Sequence, residues 1–171
     1  MSLMYSSVRQ FAKMVRQIDA WLEKAAAHAK TKSFDPNVLL QSRLAPDQYP
    51  LVRQIQSACD SAKFGVARLA GKEAPKHPDT EQTVDELRAR IKSCAEYLDT
   101  VKEADLAGAE TRHVTLPWLE GKYILGNDYL VEMALPNFYF HLAHTYAILR
   151  HNGVDLGKRD YIGGMTTHDG K

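Results

Sequence analysis

The side chains whose types and spacing suit chemistry fall on two predicted helices. Asn137, His141 and His144 lie on one, and Gln56, Asp60 and Lys63 on the other. Each helical residue advances about 100°. Measured from Phe138, the apolar arc of the later helix runs from roughly −80° to about +80°. His141 falls near −60°, inside that arc, whereas His144 and His151 fall near −120° and −140°, outside it. A neutral imidazole at His141 can be satisfied by a carbonyl or a tyrosine hydroxyl, or can act as a ligand or a general base. On the earlier helix, Gln56, Asp60 and Lys63 share a strip at the margin of the apolar seam. Asp60 and Lys63, three residues apart, can pair on the surface. Alternatively, Gln56 and Asp60 face His141 and Asn137, as in sites built from facing helices of a bundle. His141, Asn137, Asp60 and Gln56 are therefore the candidate pocket.

The other chemistry-bearing residues point to structure. Cys59 and Cys94 occupy seam positions, suited to small buried hydrophobes, and match no metal or redox spacing. His28, His77 and His113 lack a partner at useful spacing. No glycine-rich phosphate loop and no G-x-S-x-G elbow occurs. The net charge of +1 is spread along the chain, which gives no electrostatic case for nucleic acid or an anionic membrane. No apolar run approaches the roughly 20 residues that span a bilayer. Met1-Ser2-Leu3-Met4-Tyr5 has no signal-peptide pattern. The expected location is cytoplasmic.

Four segments must position the candidate residues. Met4, Val8, Phe11, Val15, Ile18, Leu22 and Ala25 recur at intervals of four and three. So do Val52, Ile55, Cys59, Ala62, Val66 and Leu69, then Val84, Leu87, Ile91, Cys94, Leu98 and Val101. Val131, Leu135, Phe138, Leu142, Thr145 and Leu149 form the fourth seam. Four such seams predict an all-α four-helix bundle. The apolar connection from Thr31 to Pro46 suits a long first crossover. Asp47 is expected to cap the second helix, with Pro50 in its first turn, and Asp79 or Thr80 the third. Gly71 and Gly153 should end the second and fourth helices. Pro136 should kink the fourth and free the carbonyl of Glu132. His113–Leu116 and Lys122–Leu125, around a turn ending at Gly121, read as a small β-hairpin before the last helix. Residues 1–163 are expected to form one domain and 164–171 a flexible tail.

Several stretches carry a resemblance. They are Arg43-Leu44-Ala45-Pro46-Asp47 with Pro50, Leu51 and Gln54; Ala67-Arg68-Leu69-Ala70-Gly71; Thr115-Leu116-Pro117; Leu135-Pro136-Asn137-Phe138-Tyr139-Phe140-His141; and Tyr146 to Val154. With these the chain resembles the DinB/YfiT-like superfamily, most closely a branch of unknown function. The resemblance implies a four-helix bundle paired as a homodimer. It also implies a divalent metal held by one histidine on the second helix and an H-x-x-x-H pair on the last. Some members look like metal-dependent transferases or isomerases acting with low-molecular-weight thiols. Here Asn137 stands at the first of the paired positions and His141 at the second, while Gln56 or Asp60 is the nearest polar group on the second helix. The implied set Asp60, Asn137 and His141 offers one nitrogen and two oxygens, a poor zinc site nearer to manganese or magnesium, and the divalent metals considered are manganese, nickel, zinc and magnesium. Three readings follow. The first is a small-molecule-binding bundle with a degenerate or absent metal site. The second is a divalent-metal-dependent transferase or hydrolase using the same pocket, and the third a non-catalytic protein-association bundle.

Overall fold

The computed structural model describes residues 2–170, so Met1 of the expected domain and Lys171 of the expected tail lie outside the described residues. The bundle consists of α1 (Leu3–Lys32), α2 (Leu51–Ala70), α3 (Val84–Thr100) and a composite last helix. That helix begins as α4 (Gly126–Asp128), widens into a π-helical turn (Tyr129–Ala134) and continues as α5 (Leu135–His151). Two-residue strands β1 (His113–Val114) and β2 (Ile124–Leu125) pair antiparallel just before it, with His113 opposite Leu125 and Val114 opposite Ile124. A short α6 (Lys158–Ile162) follows it.

The periodic residues of the first three segments form the core. All are buried except Val52, which is half-buried. Each large apolar side chain removed from water contributes roughly 1.5–3 kcal/mol. Cys59 and Cys94 are both free and buried, and the Cys94 thiol donates to the Cys59 carbonyl. α1 packs chiefly on α3, and α2 on α5 and α3, so the first connection carries the chain across the bundle. That connection is ordered by a 3₁₀ turn at Pro36–Gln41, capped by Asp35 and pinned by buried Leu39 and Leu40.

The helix ends differ in part from expectation. α2 starts at Leu51 with Pro50 as its extended N-cap, and Asp47 lies outside it. The Leu51 N–H is already taken by the Ser42 carbonyl at 2.9 Å, which leaves Asp47 no capping role there. α3 is capped by Thr83 rather than Asp79 or Thr80. Its hydroxyl accepts the Glu86 N–H and the Glu86 carboxylate accepts the Thr83 N–H, a reciprocal capping box. Gly71 ends α2 in the left-handed region at φ 64°, as its position predicts.

The break expected at Pro136 takes the form of the π-helical turn, in which the Leu135 N–H bonds back five residues to the Leu130 carbonyl. The wide turn also moves the seam. Counting back four from Leu135 gives Val131, which is 56% exposed, whereas counting back five gives Leu130, which is buried. Val131 is therefore not a core residue, and Tyr129, Leu130 and Ala134 take that place.

Candidate functional site

A cleft of about 440 Å³ runs between α2 and the composite last helix. On α2 its wall is one helical strip, Arg53, Ser57, Ser61, Phe64 and Arg68, preceded by Tyr49. The spacing of four and three keeps these residues on one face. The facing wall carries Tyr129, Met133, Asn137 and His141, and Trp118 from the turn between β1 and β2 stands at its mouth, 61% exposed. The π-helical turn aims Tyr129 at α2, where its hydroxyl accepts a hydrogen bond from Arg68 at 3.0 Å.

His141 is held from behind. Its Nδ1 lies 2.8 Å from Gln54 Oε1, and the Gln54 amide nitrogen donates to the Tyr49 carbonyl. With that nitrogen committed, the Gln54 oxygen accepts, so the network assigns the proton of the neutral ring to Nδ1. Nε2 is left as a bare acceptor, without a hydrogen-bond partner among the described residues. The Tyr49 ring stacks parallel to the imidazole at 6.4 Å. Burial, reinforced by His144 and Arg53, pushes the His141 pKa down to about 4. At neutral pH this group accepts protons or hydrogen bonds and does not act as a cation.

The lowered pKa has a stability consequence. From its ordinary 6.5, His141 drops to about 4 in the fold, so the unfolded chain takes up the proton first as pH falls. This contribution is fully present above the unfolded value and is lost as pH falls from 6.5 to about 4. A shift of this size has a ceiling of about 3 kcal/mol, and solvent reaching the ring through the cleft reduces it to about 2 kcal/mol. Urea unfolding at pH 7 and pH 4 should show wild type losing about 2 kcal/mol more than His141→Asn. Equal losses would mean the ring is not held neutral by its surroundings.

Asn137 donates from Nδ2 to the Ser61 hydroxyl at 2.6 Å, and Ser61 in turn donates to the Ser57 carbonyl. Its amide oxygen remains available to the cleft. Asp60 also lines the cleft, but its carboxylate is claimed from behind by Arg90 at 2.6 Å and Lys63 at 2.8 Å. Gln56 turns away from the cleft altogether. It is buried, and its amide donates to Glu81 at 2.8 Å. The structure thus brings His141, Asn137 and Asp60 to one cleft and leaves Gln56 out.

Behind the cleft lies a charge network whose extent the spacing does not reveal. The Asp60–Lys63 pair exists, yet Lys63 is fully buried rather than on the surface. Buried Arg90 of α3 reaches Asp60, Asp79 at 2.9 Å and Glu81 at 3.0 Å, and Arg53 pairs with Asp79. Burial alone would raise the carboxyls of Asp79 and Glu81, but the guanidinium partners outweigh it and hold both below their usual range. His77, from the loop between α2 and α3, has two partners. Its Nδ1 accepts from the Lys63 ammonium at 2.8 Å, and its Nε2 lies 3.0 Å from the Ser93 hydroxyl. With Lys63 as donor, Nε2 carries the proton, so His77 is not placed as a base for Ser93. Burial, then Lys63 and Arg90, lower the pKa of His77.

The donor set does not fit the implied divalent metal. Asp60 is neutralised by two cations, Asn137 is neutral, and His141 alone offers a free nitrogen. Among the described residues no group of three or more His, Cys, Asp or Glu is placed to hold a metal ion. No helix among them is long and apolar enough to cross a membrane.

Comparison with known proteins places this geometry. The family model described as "Domain of unknown function (DUF1993)" matches residues 3–162. A solved structure, the crystal structure of a DinB family member protein from Shewanella denitrificans, is 49% identical with a TM-score of 0.95. The alignment covers 98% of this chain and 96% of that one. No functionally curated protein matches. With a match along nearly its whole length to a DinB family member, and its last helix rebuilt around a π-helical turn, the chain belongs to the DUF1993 family of DinB-like four-helix bundles.

Proposed function

We propose that this protein is a small-molecule-binding bundle whose ligand lies in the α2–α5 cleft without a metal ion. The observation that carries the reading is the neutral His141 lining the cleft, its Nδ1 locked by Gln54 so that Nε2 is left as a bare acceptor. Asn137 and Ser61 add polar groups beside it, and Tyr49, Phe64 and Trp118 add apolar walls. A concave site with polar groups converging beside aromatic walls is a form that ligand pockets take. Asp60 serves this cleft as a neutralised wall, and Gln56 supports it from behind through Glu81. The resemblance supports a homodimer as the working assembly, and the exposed Val131 and Phe140 offer apolar surface for one. We take residues 1–163 as the working domain, in a cytoplasmic setting.

The test is a ligand-observed NMR screen of small polar aromatics against wild type and His141→Ala, with elemental analysis of both proteins. The variant should fold with a loss of about 1–3 kcal/mol, because Gln54 loses its partner. It should also bind hits at least about tenfold more weakly. Hits that bind both proteins equally would end the cleft reading. One equivalent of a divalent metal, present in wild type and lost in His141→Ala, would replace it with the metalloenzyme reading.

A further inference from the structure

Arg68 differs from the other cations around the cleft. Arg53 is paired with Asp79, and Arg90 and Lys63 with Asp60. Arg68, half-buried, has no carboxylate partner among the described residues. It is nevertheless held in place. Its guanidinium lies over the Phe64 ring at 5.8 Å and the Tyr129 ring at 5.9 Å, and Nη1 donates to the Tyr129 hydroxyl. With Nη1 on Tyr129, Nε and Nη2 have no hydrogen-bond partner among the described residues, and that edge matches a carboxylate. Arg68 also sits in the last turn of α2, where a cation offsets the helix dipole. The dipole accounts for a positive charge at this position but not for a guanidinium clamped by two rings inside a cleft.

We infer that the cleft binds a planar aryl carboxylate, with the carboxylate on Arg68 and a hydroxyl or N–H at the far end donating to Asn137 or His141. This rests on the cleft reading above and specifies its ligand class. The polarity follows from the side chains. His141 is a neutral acceptor and Asp60 is already neutralised, so the unpaired positive charge lies at the Arg68 end. Arg68 is the one cation lining the cleft without a carboxylate partner among the described residues, and a single guanidinium suits a monoanion better than a doubly charged phosphate. A hydroxyphenylpropionate carries both required groups, a carboxylate at one end of an aromatic ring and a hydroxyl at the other. Phe64, Met133 and Trp118 flank the space between.

The experiment is calorimetric titration of the full chain with hydroxyphenylpropionate and with its uncharged amide, repeated on Arg68→Gln, Arg68→Lys and His141→Ala. Wild type should bind the acid at least about tenfold more tightly than the amide. Arg68→Gln should erase that preference with its melting temperature kept, and Arg68→Lys should restore part of it. Acid and amide binding equally, both weakened in His141→Ala but not in Arg68→Gln, would overturn the carboxylate inference and leave the cleft reading standing. Binding of neither probe at millimolar concentration also overturns it, and the cleft reading is then decided by the fragment screen alone. Unfolding of Arg68→Gln would assign the residue to stability, unless Arg68→Lys folds and keeps the acid preference.

Discussion

Arg90→Met is expected to lower the free energy of unfolding by about 3–5 kcal/mol, among the largest effects available to one substitution in this chain. Arg90 is buried between α2 and α3, and it neutralises three carboxylates at once. Nη2 bonds Asp60 at 2.6 Å, and Nη1 bonds Asp79 at 2.9 Å and Glu81 at 3.0 Å. The bonds to Glu81 and Asp60 outweigh burial and raise the arginine's pKa, so it stays charged across the accessible pH range. Methionine matches much of its volume but leaves Asp60 with Lys63 alone, Asp79 with Arg53 alone and Glu81 with the Gln56 amide. Removing the central cation costs most at Glu81, whose side chain is only 10% exposed and stays desolvated, and less at Asp60 and Asp79, which are about a third exposed. Arg90→Met combined with Glu81→Gln should therefore be less destabilised than the two single losses summed. Urea unfolding of the four proteins measures this. A loss below about 1 kcal/mol for Arg90→Met would show that water already screens the cluster.

The same cluster marks where the sequence stops being legible. Positions set by a local period could be read directly. The seams of α1 to α3 are buried as their spacing requires, and His141 falls inside the apolar arc while His144 and His151 lie towards solvent. Gly71 ends α2, and the paired strands sit just before the last helix. What escaped was non-local. Lys63 reads as a surface residue until the loop after α2 brings His77 against it and Asp79 and Glu81 to Arg90, and no spacing within α2 encodes that loop's path. Gln54 and Arg68 are visible as polar interruptions of α2. Their roles depend on His141 and Tyr129, which are contributed by a helix far along the chain. Pro136 announced a disturbance, yet the count of one extra residue in the wide turn could not be read from a period of 3.6. Because of that single residue the regular period points to Val131 as a core position and passes over Tyr129, the anchor of Arg68.

Gly126→Ala should be the second severe substitution, with an expected loss of about 3 kcal/mol. The requirement is steric rather than torsional, since the residue does not adopt a positive φ. A Cβ at this position would stand 1.9 Å from the carbonyl oxygen of Ala109, a backbone atom of a fully buried residue. The oxygen cannot step aside alone, because the Gly126 N–H is bonded to the Arg112 carbonyl at 2.8 Å and β1 follows at His113. Relief must separate the 109–112 segment from the start of the last helix and so shift the hairpin that carries Trp118 and the turn that carries Tyr129. The cleft should loosen together with the fold. Gly65→Ala is the control, since its Cβ would meet Ala134 at 3.4 Å, an ordinary contact, and helix propensity favours the change by up to about 1 kcal/mol. Thermal unfolding of both variants separates them. Gly126→Ala should melt far below wild type, whereas Gly65→Ala should stay close to it. If Gly126→Ala also melts near wild type, the contact between the last helix and the 109–112 segment is loose enough to absorb a methyl group, and the hairpin is not a rigid wall of the cleft.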